Sequence, residues 1–124
     1  VDASEKSLSP EARALAQTLV LHRKEVARAG GAEDVNLDAC LITYADLCER
    51  AGVSHLKSEI GRYLREIAQW CHENRWPPLN ALAVNYDTRK PGRGYDRAPG
   101  CSLFDWPEQV RACLGFPGYP DSAL

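Results

Sequence analysis

A chain of 124 residues, 44% hydrophobic and 26% charged, is of ordinary single-domain length and carries enough apolar material for one core. Its 15 Lys and Arg against 17 Asp and Glu leave it slightly acidic, unlike a domain that grips nucleic acid through charge spread over its whole surface. No apolar run approaches the roughly 20 residues of a membrane helix, and Asp2, Glu5 and Lys6 are in the wrong order for a secretory signal, so no membrane partner and a soluble, cytoplasmic chain are expected.

The start, residues 1–8, reads as flexible. Ser9-Pro10-Glu11 then supplies a cap, a proline at the first helical position and an acidic first turn, which predicts a helix to about Ala29. Its apolar face is Ala12, Leu15, Ala16, Leu19 and Val26, and Gly30-Gly31 closes it. An acidic linker, Ala32 to Asp38, is expected over the surface before Cys40, Leu41 and Ile42 enter the core.

Thr43 before Tyr44, with Asp46 three residues on, opens a second helix; Leu47 and Ala51 continue its face, and Gly52 supplies the left-handed stop. Ser54 is a second capping residue. After it, Leu56, Ile60, Leu64, Ile67 and Cys71 recur at spacings of three and four, the stripe of one long helix. Pro77-Pro78 ends that helix, because proline lacks an amide donor and disfavours helix in the residue before it.

Leu79 and Ala81 to Val84 form a short apolar strand, and Asp87 to Gly94 has the residues of a hairpin tip, flanked by Tyr86 and Tyr95 that pair across it. Ala98-Pro99-Gly100 is a turn, from which Leu103 and Phe104 return to the core. Asp105-Trp106-Pro107-Glu108 repeats the start signals and predicts a short helix to Leu114, with Phe116 and Tyr119 pinning an irregular tail.

Two helices joined by a short Gly-containing turn, then a hairpin, define the expected fold: mainly α, a winged helix-turn-helix with an extra N-terminal helix, a small β-hairpin wing and a short C-terminal helix. One domain over 9–124 is expected, with the helix-turn-helix at about 43–75 and the wing at about 79–98.

Charge is segregated along the chain. There are 6 Lys/Arg against 9 Asp/Glu before His55, 8 against 5 from His55 to Ala98, and 1 against 3 thereafter. The positive segment coincides with the second helix of the pair and the wing. Ser54, His55, Lys57, Ser58 and Arg62 at the start of that helix, with Arg89, Lys90, Arg93 and Arg97 in the wing, are therefore the candidate nucleic-acid-binding residues. The bland alternative is a solvated helix face in which Lys57, Arg62 and Arg65 pair with Glu59 and Glu66.

Five cysteines, Cys40, Cys48, Cys71, Cys101 and Cys113, are odd in number and cannot all pair, which fits a reducing compartment. No closely spaced pair anchors a metal site with His55 or His72, so neither metal nor another cofactor is expected.

ITYADLCERAGV followed by SEIGRYL resembles the winged-helix DNA-binding domain of the O6-alkylguanine-DNA alkyltransferases. Ile42, Thr43, Tyr44, Leu47, Gly52, Ile60, Gly61 and Leu64 match its pattern, Ala45 replaces a glycine, and the resemblance covers less than half of the chain. It implies a place for Tyr44 against a phosphate. The family's Pro-Cys-His-Arg nucleophile segment falls on Pro78-Leu79-Asn80-Ala81, and its base-stack arginine falls near Ser58, so alkyl transfer and base flipping are not implied here.

The expected function is a non-catalytic winged-helix nucleic-acid binder that contacts the DNA backbone. A small protein-interaction module, such as a bacterial or phage inhibitor or adaptor on the same scaffold, is the alternative. An enzyme has least support, since His22, His55 and His72 have no nucleophile partner.

Overall fold

A computed structural model describes residues 8–29, 40–116, 118 and 119. Residues 1–7, the Gly30-Gly31 closure, the acidic linker and the last residues of the tail lie outside the described residues. The architecture is mainly helical: among the described residues there are four α-helices, three short 3-10 segments and a two-stranded sheet.

Helix α1, Pro10–Ala29, begins where the cap signals place it, with Ser9 Oγ accepting from the Ala12 amide at 3.3 Å. Leu8 belongs to the core rather than to a flexible start, at 5% exposure. Ala12, Leu15, Ala16, Leu19 and Val20 form the buried stripe of α1, which packs on the next two α-helices and on α4 beyond them.

Strand β1, Ile42–Thr43, leads directly into helix α2, Tyr44–Ala51. Thr43 Oγ1 accepts from the Asp46 amide at 3.2 Å, and Gly52, at φ 76°, closes the helix in the left-handed region that side chains other than glycine's disfavour. The following helix does not start as an α-helix at Ser54. Residues Ser54–Glu59 form a 3-10 segment that no side chain caps, and helix α3 runs from Ile60 to Glu73. Leu56 is buried and Ser54, His55, Lys57 and Ser58 are exposed, so one anchored side chain holds a segment whose neighbours are indifferent helix formers. Along α3 the expected stripe is realised, with Ile60, Leu64, Ile67 and Cys71 buried together with Tyr63, Ala68 and Trp70.

Past the prolines, Leu79–Leu82 makes a 3-10 turn and Ala83–Val84 forms β2. This strand pairs in parallel with β1, Ile42 opposite Ala83 and Thr43 opposite Val84, and not with a returning strand. The β-hairpin wing is thus replaced by a loop. Its tip is a tight turn in which the Asn85 amide donates to Lys90 O at 2.9 Å and the Arg89 amide to Asn85 O at 3.0 Å. The return segment cannot build a ladder there: Pro91 has no amide proton, the Gly92 amide is taken by Tyr44, and 93–97 coil into a 3-10 segment.

Helix α4, Trp106–Leu114, starts without the expected Asp105 side-chain cap. Trp106 Nε1 donates instead to Ala81 O at 2.9 Å and fixes α4 against the segment before β2. Leu103 and Phe104 do not return to the core. They occupy a turn whose backbone bonds to Asp96 Oδ1 and Ser102 O, and Phe104 is 92% exposed. Phe116 and Tyr119 do pin the tail, packing with Trp70 and Trp76 in a run of edge and tilted ring contacts. Among the described residues, no helix is long and apolar enough to cross a membrane.

Candidate functional site

The parallel pairing of β1 and β2 brings the start of α2, the start of α3 and the loop after β2 to one side of the molecule. Tyr44 is the hinge of this arrangement. Its hydroxyl accepts from the Gly92 amide at 2.8 Å and so ties the basic loop to the N-terminus of α2. Burial raises the Tyr44 pKa and the Gly92 bond partly offsets it, so the phenol stays protonated. A hydroxyl that accepts one bond keeps its proton for donation, which a phosphate oxygen could receive.

Two recesses adjoin Tyr44. One, of about 270 Å³, lies between α3 and the loop and is bordered by Ile60, Gly61, Leu64, Asn80 and Tyr95, with Lys57 and Arg65 also on its lining. The other, of about 400 Å³, is bordered by Tyr44, Lys57, Asn85, Tyr86, Asp87 and Thr88. Lys57 belongs to both, which joins the 3-10 segment to the loop as one surface.

The structure gathers part of the expected set. Tyr44, Lys57 and Gly61 stand together with the loop; Ser54, His55 and Ser58 are exposed on the 3-10 segment, and Lys90 and Arg97 are exposed on the loop side. Arg89 is half-buried at φ 56°, a left-handed residue in the turn. The Arg93 side chain lies outside the described residues. Arg62 is turned to local use, 3.7 Å from Glu59 and over the Tyr63 ring. Glu66 does not pair with an arginine: its carboxylate accepts from the Ser9 amide at 3.0 Å and from Ser9 Oγ at 3.1 Å. That leaves Arg65 at the recess without its expected partner.

Tyr86 and Tyr95 do not pair. Tyr95 is buried, its hydroxyl bonded to Gln109 Oε1, while Tyr86 is 79% exposed beside the loop tip. Alternation along the strand hides this outcome, since it presumes a second strand that the chain does not form. Asn80 is the second residue whose place the sequence does not signal. It is 4% exposed, its Nδ2 lies 3.7 Å from Cys101 Sγ, and its Oδ1 has no hydrogen-bond partner. A buried, unpartnered amide oxygen typically costs about 1 to 3 kcal/mol, so something other than the resting fold has to account for it.

Leu79 stands fully buried where the alkyltransferase pattern has its nucleophile. The thiols elsewhere are poor substitutes. Burial raises all five, Cys71 and Cys113 up to about 12, which leaves them protonated at neutral pH and unreactive as nucleophiles. Among the described residues, no three His, Cys, Asp or Glu side chains come together as a metal site requires. No family model, curated protein or solved structure matches the chain.

Proposed function

We propose that the chain is a non-catalytic nucleic-acid binder, a winged helix-turn-helix variant in which the loop over residues 85–98 takes the place of a hairpin wing. The observation that carries the reading is the joining of Tyr44, Lys57 and the loop into one surface through the Tyr44–Gly92 bond. Phosphate contacts from Lys57, Lys90, Arg97 and the Tyr44 hydroxyl would position the protein on a backbone without reading sequence. Exposed Tyr86 adds a ring on which an unpaired base can stack.

Gly61 supports the same reading. It is exposed in the first turn of α3, and no atom lies within 4 Å of the place a Cβ would take. Glycine in a helix costs up to about 1 kcal/mol relative to alanine, and packing within this chain does not offset it. A partner backbone approaching α3 closely would.

The test is electrophoretic retardation of duplex and single-stranded DNA over a range of salt. On duplex, the slope of log affinity against log salt changes by about 0.9 for every phosphate that a cation neutralises. Replacing Lys57, Lys90 and Arg97 together by Ala should flatten that slope by nearly three and remove most binding near physiological salt, with the circular dichroism unchanged. Absence of retardation by the unaltered protein at low salt would sink the proposal.

A second reading, a protein-interaction module, draws on Phe104. A phenylalanine so exposed, next to Leu103 on the turn before α4, lies apart from the basic surface and would suit a protein partner. Loss of partner capture in Phe104→Ser, with DNA retardation unchanged, separates the two.

A further inference from the structure

We propose that the recess between α3 and the loop is a binding site for a small aromatic anion: a flat ring bearing an N–H or O–H donor, with a phosphate or carboxylate at its outer end. The inference stands beside the nucleic-acid reading and does not rest on it. Three observations converge on it. The recess, about 270 Å³, is large enough for a ring with one substituent, and Ile60, Leu64, Tyr95 and Ala98 give it apolar walls. Asn80 borders it with a side chain 4% exposed whose Oδ1 has no hydrogen-bond partner, an acceptor that a ligand donor would satisfy. Lys57 and Arg65 border the same recess yet are exposed, which places positive charge at its rim for the anionic end.

The glycines fit the same geometry. At Gly61 and Gly94 a Cβ would meet nothing within 4 Å, and at Gly92 it would meet only Tyr44 Oη and Asn85 Nδ2, at 3.6 and 3.8 Å. Side chains at Gly61, Gly92 and Gly94 would take up room beside the recess that the fold itself leaves unused. A purely structural asparagine makes a different prediction. If Asn80 served the resting fold, its oxygen would be bonded, and removing it would weaken the protein. An acceptor kept for a ligand is instead dispensable for folding, so a leucine of nearly the same shape should be tolerated.

The experiment is a two-dimensional amide NMR titration of the full chain with three probes: 5′-GMP, indole-3-acetate and pyrophosphate. The expected result is saturable one-to-one shifts at Gly61, Gly92, Gly94 and the Asn80 side-chain amide with at least one ringed anion, and none of that pattern with pyrophosphate. Asn80→Leu should lower the affinity at least about tenfold while its melting temperature equals or exceeds that of the unaltered chain. Arg65→Glu, a surface change that leaves the core untouched, should weaken the ringed anion by a similar factor and keeps the idea testable if Asn80→Leu does not fold. Equal shifts from pyrophosphate would reduce the site to a charged patch and overturn the proposal. Failure of both ringed anions to give saturable shifts, or unchanged affinity in either variant, would overturn it as well. Because Lys90 and Arg97 do not border the recess, their loss should abolish DNA retardation without touching this binding, so the two readings fail separately.

Discussion

Leu64 has two duties. It is buried in the same core as Leu19, Leu47 and Ile67, and it also forms part of the wall of the recess between α3 and the loop. Truncation to Ala removes buried methyl groups that the fixed helices around it cannot replace. Leu64→Ala should therefore lose about 2 to 5 kcal/mol of stability in chemical denaturation. A loss below about half a kcal/mol would remove the α3 stripe from the account of the core. At neighbouring positions the same helix carries residues with no part in the core: Arg65 is exposed, and Gly61 meets nothing where its Cβ would stand. Structural and functional residues alternate here within a single turn, because the two faces of a helix are only a few residues apart.

At the scale of elements, α1 is held by polar bonds at intervals along its length as well as by its apolar stripe. Glu66 of α3 accepts both the amide and the hydroxyl of Ser9 at its start, His22 Nε2 donates to Cys40 O at 2.7 Å, and Arg23 reaches Cys113 O and Leu114 O at 2.9 and 3.0 Å. The last of these puts a guanidinium on the free carbonyls at the end of α4, where positive charge is favoured. Glu66→Ala should unfasten the first turn of α1 from α3 and lower stability by about 1 to 2 kcal/mol, the usual cost of removing a cap with a charged partner. Urea denaturation measures it, and Glu66→Gln should recover part of the loss. If alanine and glutamine variants match the unaltered protein, the Ser9 contact contributes nothing.

For the molecule as a whole, the buried thiols set a limit in alkali. Cys71 and Cys113 have pKa values raised by burial to about 12, against an ordinary value of 9.0 once the chain is unfolded. Between those values the unfolded chain gives up thiol protons that the folded chain retains. The unfolded state then binds fewer protons, so stability is fully present below about pH 9 and falls as the pH rises toward 12. Denaturant midpoints should decline across this range, and Cys113→Ala should make the decline shallower even though it lowers stability at neutral pH. A midpoint that does not move between about pH 8 and pH 10 would contradict the burial of both thiols.

How much of this was legible in the chain depends on whether the deciding contact is local. The bounds of α1 followed from Ser9-Pro10, those of α2 from Thr43 and Gly52, and the α3 stripe from the spacing of Ile60, Leu64, Ile67 and Cys71, because capping and helical periodicity act within a few residues. Of the site, Tyr44, Lys57 and the loop cations were visible as residue types in the right segments. Their assembly was not, because it needs β1 and β2, far apart in the chain, to pair in parallel, and no local signal tells β2 to choose Ile42-Thr43 over a returning strand. The same choice exposed Tyr86, buried Tyr95 and left the Asn80 oxygen without a partner. Helix limits belong to sequence because their energies are settled among neighbours. The recess and the surface beside it belong to tertiary structure, since they exist only where distant segments compete for the same backbone partners.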